Sequence, residues 1–148
     1  MSGRQPDKRS DYLHFSRITT RWMDNDVYGH VNNVVYYSFF DTVVNKFLMD
    51  GNSLDIARSE VVGLVVETRC QYFRPISFPD TVDAGIRVAK LGNSSVCYEV
   101  GLFRNDDDTA AAQGHFVHVY VDRASNRPAP IPEAARKLLS TLSHDAAG

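Results

Sequence analysis

The stretch from Val34 to Leu48 constrains this chain more than any other. Val34, Val35, Tyr36, Tyr37, Phe39, Phe40, Val43, Val44, Phe47 and Leu48 would nearly encircle a helix built from it. β-Branched and aromatic residues are poor helix formers on their own. Yet Tyr36, Phe40, Val43 and Phe47 keep the three-to-four spacing of one helical face. A strand reading stays open here, with the length of the segment against it. As a helix, the segment needs tertiary support and burial on most sides. Asn32 or Asn33 is a good N-cap, and Gly51 in Asp50-Gly51-Asn52 is expected as a left-handed stop.

Around this segment the period is two. Tyr12 to Trp22 is rich in β-favouring residues and predicts a strand. Val66, Thr68, Cys70 and Tyr72 share one face of another, with Glu67, Arg69 and Gln71 opposite, and Arg74-Pro75 ends it. Val82, Ala84, Ile86 and Val88 mark a third, and Val96, Tyr98, Val100 and Leu102 a fourth. A last strand is expected from about Ala111 to Val121, then a short helix opened by Ile131-Pro132-Glu133. The piece near Ser53 to Ser59 reads as irregular or helical. The expected class is α+β: a curved antiparallel sheet, its later strands in meander-like succession, wrapped around one long central helix. One sheet covers only part of so apolar a helix, so a second copy of the chain is expected to cover the rest. Residues 1–10 carry no periodicity and read as a mobile tail, and 11–148 as a single domain.

Composition narrows the function classes. The 148 residues carry 16 basic and 18 acidic side chains, a net charge of −2 that argues against a phosphate-gripping nucleic-acid protein. No apolar run approaches the roughly 18 residues of a membrane span, and the polar start makes no signal peptide. Cys70 and Cys97 are the two cysteines, far from C-x-x-C spacing, which points to reduced thiols and a cytoplasmic setting.

The densest polar cluster is Asp24-Asn25-Asp26-Val27-Tyr28-Gly29-His30-Val31-Asn32-Asn33. By residue type it reads first as a loop that caps a helix, since Asp and Asn bond to nearby backbone. Three features favour chemistry. The loop meets the N-terminus of the most buried helix, where free N–H groups favour developing negative charge. It combines carboxylates, an imidazole and a phenol. The helix that follows would line an apolar pocket.

Asp26-Val27-Tyr28-Gly29-His30-Val31-Asn32-Asn33, followed by Tyr36 and Phe39-Phe40, resembles the signature of the hotdog-fold acyl-CoA thioesterases, in the 4-hydroxybenzoyl-CoA thioesterase-like group. Tyr72-Phe73-Arg74-Pro75 and Phe78-Pro79-Asp80 resemble the next strand and turn of the same group. The resemblance covers about residues 12–125 and implies the hotdog fold, which agrees with the element order. It also implies the site. Asp26 matches the catalytic carboxylate, as nucleophile or as the base that activates water. Asn33 matches the helix-start position whose N–H polarises the thioester carbonyl. His30 is placed with them as a motif residue, and Tyr28, Asn32 and Tyr36 as substrate contacts. The substrate implied is an acyl-CoA, with no cofactor and no metal, in a homodimer or homotetramer.

Other acids and bases read as structural. Asp24 is expected to position the loop, Asp41 to be a supporting helix acid, and Glu67 a solvated or paired strand residue. Arg74, Arg87, Lys90 and Arg104 stand near strand ends, where phosphates of coenzyme A would be met, though each is more often a surface charge. His115 and His118 are three apart on a strand, face opposite ways, and make a poor metal pair. Two rival functions use the same fold: a protein that binds acyl-CoA or another small ligand without turnover, and an enoyl-CoA hydratase. The D-x-N-P-x-H type segment expected of the latter is missing from this sequence.

Overall fold

The computed structural model describes residues 5–55 and 57–143. Five strands and two helices follow in the order β1 (His14–Thr19), α1 (Asn33–Asp50), β2 (Val61–Tyr72), β3 (Thr81–Leu91), β4 (Ser95–Arg104), β5 (Ala112–Asp122) and α2 (Glu133–Ser140). The strands form one antiparallel sheet in the order β1-β3-β4-β5-β2. The long apolar segment is the helix, and the sheet curves around it as the hotdog fold requires.

Packing explains why poor helix formers stay helical. Tyr36, Phe39, Phe40, Val43, Val44, Phe47 and Leu48 are all buried, against Ala84 and Ile86 of β3, Tyr98 and Val100 of β4, and Phe116 of β5. Full burial of each such side chain contributes about 1.5–3 kcal/mol, more than the few tenths lost to helix propensity. Asn32 caps the helix, its Oδ1 accepting from the Val34 N–H at 3.0 Å.

Several local expectations are corrected. β1 stops at Thr19, and Trp22–Asp24 is a 3-10 turn. Gly51 is not left-handed (φ −84°); Asn52 takes that conformation (φ 61°). A glycine at 51 answers a different need, because a β-carbon there would collide with Leu138 of α2. β2 carries a bulge between Val65 and Glu67, which takes Val66 out of the face it was expected to share. The meander holds for β3, β4 and β5 only. β2 pairs with β5 at the far edge, so the chain crosses over to reach β3. A register shift between Val88 and Lys90 in β3 accompanies a bond from the Val88 N–H to the Leu142 carbonyl, 2.8 Å, which fastens the chain after α2 to the sheet.

The outer face carries a second, smaller apolar cluster of Tyr12, Phe103 and Ala110. Part of the segment expected to be a tail lies on it. Arg9 pairs with Asp83 at 2.7 Å and sits over the Phe103 ring. Arg87 pairs with Glu99 at 2.8 Å, and the Tyr12 hydroxyl donates to Asp7 at 2.8 Å.

Candidate active site

The polar loop folds into a closed turn. Asn25 bridges Val31, the Asp26 N–H donates to the His30 carbonyl at 2.9 Å, and the Gly29 N–H donates to the Asp26 carbonyl at 3.0 Å. Gly29 has φ 80°, a conformation that strains any residue with a β-carbon. Inside the turn, Asp26 Oδ1 accepts the Tyr28 N–H at 2.8 Å, the local bond that Asp makes readily. The Asp26 carboxylate is thereby aimed by its own loop.

Two attachments hold this turn at the helix start, the first local and the second long-range. Asp24 is 1% exposed, and its carboxylate accepts from the Arg21 backbone and guanidinium, both at 2.8 Å. Its carbonyl accepts the Asn32 N–H at 2.8 Å, which ties the two ends of the loop together. The second attachment is the β2–β3 crossover. The Val31 N–H donates to the Ile76 carbonyl at 2.7 Å, and Asn25 Oδ1 accepts the Phe78 N–H at 3.0 Å. The crossover therefore carries residues 73–76 past the N-terminus of α1.

Between crossover and helix start lies a cleft of about 260 Å³. His30, Asn33 and Tyr36 line it from the loop and helix, and Tyr72, Phe73 and Arg74 from the strand and crossover. Tyr36 is buried, its hydroxyl hydrogen-bonded to the Ile76 backbone. Tyr72 packs edge-on against it, with ring centroids 4.9 Å apart. Burial pushes the Cys70 thiol, beside the Tyr72 hydroxyl, up to about 11, so this cysteine stays protonated and unreactive at neutral pH.

The six residues named from the sequence thus divide. His30, Asn33 and Tyr36 come together on the cleft. Asp26 adjoins it through its backbone bond to His30. Asn32 spends its side chain on the helix cap. Tyr28 is 82% exposed and does not line the cleft. In the sequence, Tyr72 and Phe73 stand out only as a strand end and a supporting motif, and Arg74 also as one of four basic residues near strand ends; nothing local marks the start of α1 as their neighbour. Arg74 lies at the cleft while bonded to the Thr109 carbonyl at 2.6 Å. Arg87 and Arg104 are engaged elsewhere, with Glu99 and Asp107 respectively. Asp41 is exposed on α1, with partial burial raising its carboxyl above the usual range. Glu67 pairs with Arg69 at 3.2 Å. His115 meets Cys97 Sγ at 3.2 Å on the outer face, whereas His118 points into the core. Among the described residues, no group of three or more His, Cys, Asp or Glu is placed to hold a metal ion. Nor is any described helix long and apolar enough to cross a membrane.

What this arrangement can do chemically is set by the helix start. Of the first N–H groups of α1, that of Val34 goes to Asn32 Oδ1 and that of Val35 to the Asn32 carbonyl, which leaves the N–H of Asn33, a residue that lines the cleft, at the positive end of the helix dipole. An oxygen gaining negative charge there is stabilised. His30 lines the same cleft, and Asp26 adjoins it through its backbone bond to His30.

Known proteins share both sequence and shape with this chain. The sequence profile of the Thioesterase-like superfamily matches residues 20–139. The crystal structure of the PA5185 protein from Pseudomonas aeruginosa PAO1 is 54% identical, with a TM-score of 0.91 over 95% of this chain and 97% of that one. A thioesterase from Thermus thermophilus, crystallised with coenzyme A and Zn, is 32% identical, with a TM-score of 0.73 over 88% of this chain and 95% of that one. YsmA of Bacillus subtilis is 21% identical over 119 residues, 80% of each chain. With the profile spanning the loop, the long helix and all four later strands, this chain belongs to the thioesterase-like superfamily.

Proposed function

We propose that the protein is a cytoplasmic acyl-CoA thioesterase, acting as a homodimer or homotetramer, that hydrolyses a thioester to a free acid and coenzyme A. The observation that carries this reading is the Asp26 loop, closed and anchored against the N-terminus of α1 beside a cleft that His30, Asn33 and Tyr36 line. The acyl group enters the cleft, and the thioester carbonyl takes the N–H at Asn33. The Asp26 carboxylate then acts in one of two ways. As a base it takes a proton from water, whose oxygen attacks the carbonyl carbon. As a nucleophile it attacks the carbon itself, and water cleaves the anhydride that results. Either way the carbon–sulfur bond breaks, and the sulfur leaves as coenzyme A thiolate, which takes up a proton. His30 orders the loop and contacts the substrate. Tyr28 contacts it from the outer rim, where coenzyme A would lie, and Asn32 holds the helix start in place through its cap.

The test is thiol release from a panel of acyl-CoA substrates. Asp26→Asn keeps the shape and removes the charge, and is expected to lower kcat about 10²–10⁴-fold. Turnover within a few-fold of wild type would remove Asp26 from the mechanism. Tight binding of acyl-CoA with no thiol released by the wild-type protein would make it a binding protein instead.

A further inference from the structure

We propose that Tyr72 sets the size of the acyl group, restricting the enzyme to compact acyl chains, an aromatic ring or a short aliphatic chain, and excluding long fatty chains. This inference rests on the thioesterase reading and deepens it. The cleft of about 260 Å³ falls below the roughly 300–1,000 Å³ that encloses a drug-sized ligand. It therefore takes one end of an acyl-CoA, and the polar helix start selects the thioester end.

The far wall is aromatic and fixed. Tyr36 is 2% exposed, bonded through its hydroxyl to Ile76 and packed against Phe39 at 6.2 Å. It has no room to retreat. Tyr72 is 44% exposed, so one side of its ring rests on Tyr36 and the other is open. Edge-to-face packing of this kind contributes about 0.5–1.5 kcal/mol beyond the area it buries. The backbone there is pinned as well. Phe73 and Arg74 both donate their N–H groups to the Ala111 carbonyl, at 2.8 and 3.0 Å, just where β2 ends. A chain longer than the cleft meets the Tyr72 ring at this wall. Removing the ring opens the cleft toward Cys70, which lies beside the Tyr72 hydroxyl.

The experiment compares kcat/KM for benzoyl-, hexanoyl- and palmitoyl-CoA in the wild-type protein, Tyr72→Phe and Tyr72→Ala. The wild-type protein is expected to favour the two compact substrates by at least about tenfold, the smallest discrimination a filled apolar pocket gives per methylene. Tyr72→Ala is expected to shift the ratio about tenfold or more toward palmitoyl, and Tyr72→Phe, which keeps the ring, to leave the ratio where it was. Tyr72→Val, a smaller residue that suits a strand, replaces the alanine variant if that one fails to fold. A wild-type preference for palmitoyl, or a ratio unmoved by loss of the ring, overturns the proposal while leaving the thioesterase reading intact. Failure of the wild-type protein to hydrolyse any of the three overturns both.

Discussion

Asp24 and Asp26 stand one residue apart in the same loop and have opposite surroundings. The first is enclosed, its carboxylate answered by Arg21, and it joins the loop to the helix start. The second is half-buried, its backbone bonded to His30 and its carboxylate oriented by the Tyr28 N–H. One environment suits a structural acid and the other a reactive one. Asp24→Asn is accordingly expected to act mainly on stability. Losing the charge while the site stays buried costs about 1–3 kcal/mol, read as a lower urea midpoint with an unchanged slope. Its loss of turnover is expected to be much smaller than that of Asp26→Asn. Equal losses of turnover would put Asp24 in the chemistry. The sequence already marked both residues, because Asp and Asn turns are local. That Val31 and Asn25 fasten this loop to residues 76–78, far along the chain, leaves no sign within the loop itself.

Between strands β5 and β2, burial governs a titration. His118 is 2% exposed, its Nδ1 has no hydrogen-bond partner, and a β-carbon at Gly63 of β2 would lie 2.8 Å from that nitrogen. Aromatic rings of Phe116 and Tyr98 enclose it. Burial drives its pKa down from 6.5 to about 4. Above pH 6.5 the ring is neutral in folded and unfolded chains alike and has no effect on stability. As the pH falls below 6.5 the unfolded chain binds a proton that the folded one refuses, so stability declines until about pH 4, where the native ring also protonates. A shift of this size corresponds to about 3 kcal/mol across the window. Chemical denaturation at a series of pH values is expected to show this slope in the wild-type protein and a flatter one in His118→Phe. An unchanged slope in the variant would assign the acid sensitivity to other groups. The alternation of β5 predicted that His115 and His118 face apart, and they do. That His118 sits under the bulged edge strand was not legible, because pairing between β2 and β5 joins segments that are far apart in the chain.

The assembled molecule leaves one long edge free. β2 is the outermost strand on its side of the sheet, and Leu64, Val65 and Val66 on it are exposed, as are Val34 and Tyr37 on α1. An exposed edge with apolar side chains readily pairs with another chain. A second copy placed there would extend the sheet and cover the bare flank of the helix. Sedimentation velocity at micromolar concentration is expected to show a dimer or tetramer, and Val66→Lys to shift it toward monomer. A monomeric wild-type protein would end the oligomer proposal. The central helix, the alternating strands and the Asp26–Asn33 loop follow from the order of amino acids, because helical and strand periods and Asp or Asn turns arise among residues close in the chain. The position of β2 beyond β5, the crossover that walls the cleft, and the meeting of Tyr72 with Tyr36 arise only on folding. They depend on hydrogen-bond ladders and ring contacts between distant segments, which leave no periodic mark on either partner.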